Sequence, residues 1–111
     1  MSNENSARAA QLTPVFAALG DKTRLHIVER LATGETRSIA QLADGLDISH
    51  QGVTKHLKVL ERCGLVRAQR VGRERRYSAE LTLVREARSY LDEVAQTWDE
   101  ALQRLRDFVE E

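Results

Sequence analysis

Apolar residues return along this chain in two rhythms. In the first half they recur in steps of three and four: Leu25, Ile27, Val28 and Leu31, then Ile39, Leu42 and Ala43, then Val53, Leu57 and Leu60. That spacing stacks side chains on one face of a helix. Over residues 66–78 polar and apolar positions roughly alternate, through Val71 and again at Tyr77, which is the period of a strand pair. From Leu83 onward the helical rhythm resumes without a break: Val84, Ala87, Leu91, Val94, Trp98, Ala101, Leu105 and Phe108 form a heptad seam.

Capping residues punctuate these runs. Thr13 and Pro14 read as N-cap and first position of a short helix ending at Gly20, since proline lacks the N–H that would be unpaired there. Asp21 or Thr23 caps a second helix, with Gly34 just past its end, and Ser38 caps a third over residues 39–45. Ser49 caps a fourth, which stops at Cys63 and Gly64, and Gly72-Arg73-Glu74 suits a tight hairpin connection. The expected fold class is mainly α with a small β-hairpin wing and a long last helix, roughly 40 Å over residues 83–110. Residues 1–12 read as a polar, flexible N-terminal segment, although Ala7, Ala9, Ala10 and Leu12 could extend the first helix backwards, and residues 13–111 as one domain.

Composition agrees. At 111 residues and 41% hydrophobic content the chain can bury a core without disulfides, and one proline with 5% aromatics argues against an all-β protein. The single Cys63 excludes an intrachain disulfide, the polar first dozen residues lack a signal-peptide core, and the longest apolar run, residues 15–19, cannot span a bilayer. A soluble, cytoplasmic protein with no membrane partner is expected.

The net charge of zero hides a strong asymmetry. Residues 1–48 carry five Lys/Arg and six Asp/Glu, residues 49–78 eight and two, and residues 79–111 four and nine. The middle is therefore +6 and the tail −5, and the field near a surface follows local charge. A helix entering a major groove, followed by a basic loop reaching the neighbouring backbone, is the layout of a double-stranded DNA reader. On the side of the fourth helix opposite Val53, Leu57 and Leu60 lie Gln51, Thr54 and Lys55, with His50 beside them, as candidates for base edges. Ser38, Ser49 and Lys58 are candidates for phosphate contacts, and Arg73 and Arg75 near the hairpin tip for phosphate or minor-groove contacts, while Arg67, Arg70 and Arg76 lie further back and are expected to be partly structural.

At this point the residues resemble the ArsR-type winged helix-turn-helix repressors. The resemblance spans residues 15–90 and rests on Phe16-Ala17-Ala18-Leu19-Gly20-Asp21-Lys22-Thr23-Arg24, on the stretch from Ser49 through Thr54 and Lys58 to Glu61, and on Gly64-Leu65-Val66 with Gly72-Arg73-Glu74-Arg75-Arg76-Tyr77. It implies a homodimer built on the first and last helices that binds operator DNA and usually represses transcription, with Phe16, Leu91, Val94, Trp98, Leu102 and Leu105 as dimerisation residues. A domain this small cannot cover its long last helix, which independently points to a second chain. Lys22 stands where many members have proline, and Gly52 where most have alanine, at about 1 kcal/mol of helix preference. Metal-sensing members carry cysteine pairs before the recognition helix, or histidine and acidic ligands on the last helix. Residues 39–46 hold no cysteine or histidine and the last helix no histidine. No metal site or cofactor is expected, which leaves an unknown small-molecule effector, a redox signal or protein abundance as the means of release.

Several residues have plainer readings. His56 beside the buried stripe reads as a packed, hydrogen-bonded histidine, and His26 as a solvated or packed one, because zinc needs three or four ligands. Cys63 reads as a small buried apolar group with a redox switch as the rival, and Tyr90 and Trp98 as interface core with an effector pocket as the rival. Two other function classes compete with a DNA-binding regulator. A protein-interaction module on the same fold runs against the +6 centre, and an enzyme lacks any phosphate loop, nucleophile motif or ligand cluster.

Overall fold

In the computed structural model, which describes residues 3–110, five helices and a small sheet follow one another along the chain. α1 spans Asn3–Leu19, α2 Lys22–Leu31, α3 Ile39–Ala43 and α4 His50–Arg62; β1 is Arg37–Ser38, β2 Val66–Val71, β3 Glu74–Ala79, and α5 runs Thr82–Glu110. No helix among the described residues is long and apolar enough to cross a membrane.

α1 corrects the expected start at Thr13. The helix is already formed at Asn3 and passes through Pro14, so Ala7, Ala9, Ala10 and Leu12 do extend it backwards. Met1 and Ser2 of the segment expected to be flexible lie outside the described residues. The reason is helix propensity and burial together: alanines favour the helix, and Leu12 and Val15 insert into the core at 2% and 1% exposure. Thr13 is not a cap, since its hydroxyl donates back to the Ala9 carbonyl at 2.7 Å, and Pro14 removes only the bond its own N–H would have made.

The remaining caps fall where the side chains dictate. Asp21 caps α2 by accepting from the Arg24 N–H at 3.0 Å. Ser38 caps α3 in a reciprocal box, its hydroxyl accepting from the Gln41 N–H while the Gln41 side chain accepts from the Ser38 N–H. α3 ends at Ala43, short of residue 45. Ser49 caps α4, accepting from the Gly52 N–H at 3.0 Å. α4 closes on Gly64, whose φ of +85° is a left-handed conformation that lets the Leu65 N–H return to the Leu60 carbonyl at 2.9 Å.

The sheet has one strand more than the alternating pattern showed. β1 pairs with β3 through Arg37 and Tyr77 and through Ser38 and Arg76, giving the antiparallel order β1-β3-β2. Two residues are too few to display a period, so β1 is invisible in the sequence and exists because β3 offers it an edge. β2 and β3 pair from Val66 with Ala79 to Val71 with Glu74, which leaves Gly72 and Arg73 as a two-residue tip.

One core joins α1 to α4, the base of the sheet and the first turns of α5. Ile27, Leu31, Leu42, Val53, Leu57, Leu60 and Leu65 are fully buried, and Tyr77 and Ala87 close its edge. α5 then leaves the domain. Phe16 packs against Tyr90 with ring centroids 6.3 Å apart, and Arg8 lies over the Tyr90 ring while pairing with Glu93 at 2.5 Å. Beyond these contacts Leu91, Val94, Trp98, Leu102, Leu105, Phe108 and Val109 are exposed, and the molecule stretches to 68 Å along its longest axis.

Candidate nucleic-acid interface

The buried stripe of α4 sets what its other side presents. Because Val53, Leu57 and Leu60 face the core without exposure, the rotation of the helix places His50, Gln51, Thr54, Lys55 and Lys58 outward. With Ile39 these five line one shallow hollow of about 440 Å³. The sequence reading set Ile39 with Leu42 and Ala43 on the inward face of α3; in the fold it is only half-buried against the core and also lines this hollow.

Ser38 stands apart from this surface. It is 6% exposed and its hydroxyl is committed to the Gln41 N–H, so the structure does not bring it together with the other candidates. Ser49 is exposed, though its oxygen already serves the cap. The Thr54 hydroxyl donates to the His50 carbonyl at 2.9 Å, and the side chain lines the hollow.

α4 is held from behind by charged groups distant in sequence, Arg24 being 32 residues from His56. His56 Nδ1 lies 3.3 Å from an Arg24 guanidinium nitrogen and 3.8 Å from Asp21, and Arg24 Nε donates to the Ala18 carbonyl at 2.8 Å. This agrees with a packed, hydrogen-bonded His56. The Arg24 N–H, then the Arg24 guanidinium and His56, hold the Asp21 carboxyl below its usual range. His26 sits apart, its closest charged neighbour being Glu29 at 3.9 Å.

The hairpin arginines divide by partner. Arg76 bonds the Thr36 hydroxyl and carbonyl at 2.9 and 2.8 Å, Gln41 at 3.2 Å and Glu74 at 2.9 Å, which ties the wing to the start of α3. Arg67 pairs with Glu80 at 2.8 Å. Glu80, accepting from the Thr82 hydroxyl and amide and close to Arg67, is likewise held below the usual carboxylate range. Arg75 reaches Glu61 only at 3.7 Å and lies over the Tyr77 ring. Arg70, Arg73 and Arg75 line a hollow of about 290 Å³ with Ala68 and Gln69.

Cys63 is half-buried at the end of α4, its thiol directed at the Leu60 carbonyl. Among the described residues no three His, Cys, Asp or Glu side chains gather closely enough to hold a metal ion.

Comparison with known proteins agrees with this architecture. A helix-turn-helix domain model matches residues 19–69. The HTH-type transcriptional regulator Rv2034 of Mycobacterium tuberculosis is 40% identical over 87 residues, covering 78% of this chain and 78% of that protein. The transcriptional repressor SmtB homolog of Synechocystis is 33% identical over 90 residues, 78% of this chain and 67% of that one. The solved structure of an ArsR-like transcriptional regulator from Rhodococcus sp. RHA1 superposes with a TM-score of 0.85 at 35% identity, over 99% of this chain and 97% of that chain. With recognition helix, basic wing and long closing helix all in place, this chain belongs to the ArsR-type family of winged helix-turn-helix transcriptional regulators.

Proposed function

We propose that the protein is a homodimeric repressor that reads a two-fold symmetric operator in double-stranded DNA. The observation that carries this reading is the outward face of α4, where Gln51, Thr54, Lys55 and Lys58 share one hollow with His50 and Ile39 and no carboxylate interrupts it. Gln51, Thr54, Lys55 and His50 meet base edges in the major groove, while Ser49, Lys58, Arg73 and Arg75 meet the sugar-phosphate backbone. Ser38 serves indirectly, by fixing the start of α3 against which α4 is seated.

The second half of the reading is the dimer. Leu91, Val94, Trp98, Leu102 and Leu105 form an exposed apolar strip on α5, with Phe16 at its base, and Trp98 is 66% exposed. A second copy covering this strip removes it from water and sets two recognition helices about one DNA turn, roughly 34 Å, apart. The nine acidic residues of 79–111 keep that end away from the duplex. A small-molecule effector acting at the dimer end is compatible with this arrangement, and the location expected for the protein is the cytoplasm.

The test is selection of bound fragments from random DNA, followed by mobility shifts with the Gln51→Ala, Thr54→Ala, Lys55→Ala triple variant. The wild type is expected to enrich a palindromic site and the triple variant to lose preference for it. Unchanged specific binding by the triple variant overturns the placement of the reading helix.

A further inference from the structure

Among the described residues, six line the hollow beside α4, and five of them are polar: His50, Gln51, Thr54, Lys55 and Lys58. The sixth, Ile39, belongs to α3 and carries no hydrogen-bonding side-chain group. It is half-buried and packs partly against the core. The backbone around it is held from both directions. Before it, Arg37 and Ser38 pair with Tyr77 and Arg76 of β3. After it, the Gln41 side chain accepts from the Ser38 N–H at 2.9 Å and from Arg76 at 3.2 Å, while Arg76 also bonds the Thr36 hydroxyl and carbonyl. Isoleucine is β-branched and stiff at its first side-chain torsion in a helix, so it meets whatever enters the hollow as a fixed apolar surface.

The chemistry of a major groove selects what such a surface can meet. Base edges there present hydrogen-bonding groups, with one exception, the C5 methyl of thymine. Against a ring nitrogen, a carbonyl oxygen or an amino group, isoleucine strips water and returns no hydrogen bond, which costs free energy. Against a phosphate it has no donor to offer. Against a methyl it removes apolar area from water on both partners, worth a factor of about three to five in affinity for one methyl group.

We infer that Ile39 is a specificity residue that reads the C5 methyl of one thymine in each operator half-site, from α3 and not from α4. The inference rests on the DNA-binding reading and adds to it a residue of a second helix and the chemical group it recognises. It has a signature that a structural role cannot imitate: loss of the Ile39 side chain and loss of the thymine methyl are coupled.

The experiment replaces each thymine of the selected operator in turn by deoxyuridine, which pairs with adenine in the same way and lacks only the methyl. Affinities of the full-length wild type, Ile39→Val and Ile39→Ala are measured at one salt concentration. The ratio between thymine and deoxyuridine duplexes is taken within each protein, so a loss of stability in a variant cancels. In the wild type, one thymine of each half-site is expected to give a ratio of about three to five. Ile39→Ala is expected to bring the ratio at that position to about one and to leave the other thymines unchanged, with Ile39→Val in between. Ile39→Val keeps the comparison open if Ile39→Ala does not fold, since its ratio is still expected below that of the wild type. A purely structural Ile39 lowers affinity for both duplexes alike and leaves every ratio as in the wild type. That result, or a wild type that binds the operator and is indifferent to every deoxyuridine, overturns the inference while the DNA reading stands. A wild type that binds no duplex overturns the DNA reading and the inference with it.

Discussion

A methyl group on Gly52 would stand 2.6 Å from Cγ1 and 2.8 Å from Cδ1 of Ile48. Glycine in the first turn of α4 costs helix preference, and the turn before the helix explains why it is there: Ile48 folds back over the helix start. Gly52→Ala is therefore expected to lower stability by about 1 kcal/mol despite its better propensity, because overpacking costs more than the propensity returns. A double-mutant cycle with Ile48→Ala checks this. The double variant should be more stable than the sum of the single changes by about 1 kcal/mol, and strict additivity would refute the contact.

The cap on the same helix gives a simpler measurement. Ser49 supplies the acceptor for the Gly52 N–H, so Ser49→Ala should cost about 1 kcal/mol in denaturant unfolding. Ser49→Asp should restore most of that loss while adding a negative charge beside the duplex. Stability and DNA affinity then part company, with affinity falling below that of Ser49→Ala.

Specificity should follow the outward face of α4. Gln51→Ala or Thr54→Ala is expected to reduce discrimination between the selected operator and a single-base variant by about 1–3 kcal/mol, with nonspecific binding little changed. Competition binding at one fixed salt concentration measures it. Equal losses on all sequences would reassign these side chains to the backbone.

The α5 strip makes a prediction about assembly. Trp98→Glu or Leu102→Glu should weaken the proposed self-association by more than about tenfold, since burying a carboxylate among apolar side chains is costly. Sedimentation read across a concentration series decides the point. Unchanged association would place the dimer contact elsewhere.

Acid sensitivity follows from Asp21 and Glu80. Both carboxyls are held below their ordinary range in the folded protein, Asp21 chiefly by the Arg24 N–H and Glu80 chiefly by Thr82. A depressed folded value means the stabilisation is present above the unfolded value near 4 and fades as pH falls through the folded one. The midpoint should begin to drop as pH falls below about 5 and go on dropping through the depressed folded values, and the Asp21→Asn, Glu80→Gln double variant should start lower at pH 7 and drop less. Parallel curves would exclude these two groups as the origin.

The sequence by itself determined everything that depends on near neighbours. Caps at Asp21, Ser38 and Ser49 act over three residues, and the stripe of Val53, Leu57 and Leu60 dictates which face of α4 is left outside, so the outward face of that helix was legible without coordinates. Pro14 misled for the same reason. Its local preference for a helix start was overruled by the burial of Leu12 and Val15, which only the packed core could supply. The tertiary structure alone decided the pairings that cross the chain: Arg24 with His56, 32 residues apart, Arg76 with Thr36, 40 apart, and the short strand β1. A residue's own period says nothing about which distant group will meet it. Which partners the wing arginines meet is settled by the register of β2 against β3 and by the carboxylates and carbonyls that the fold carries to them.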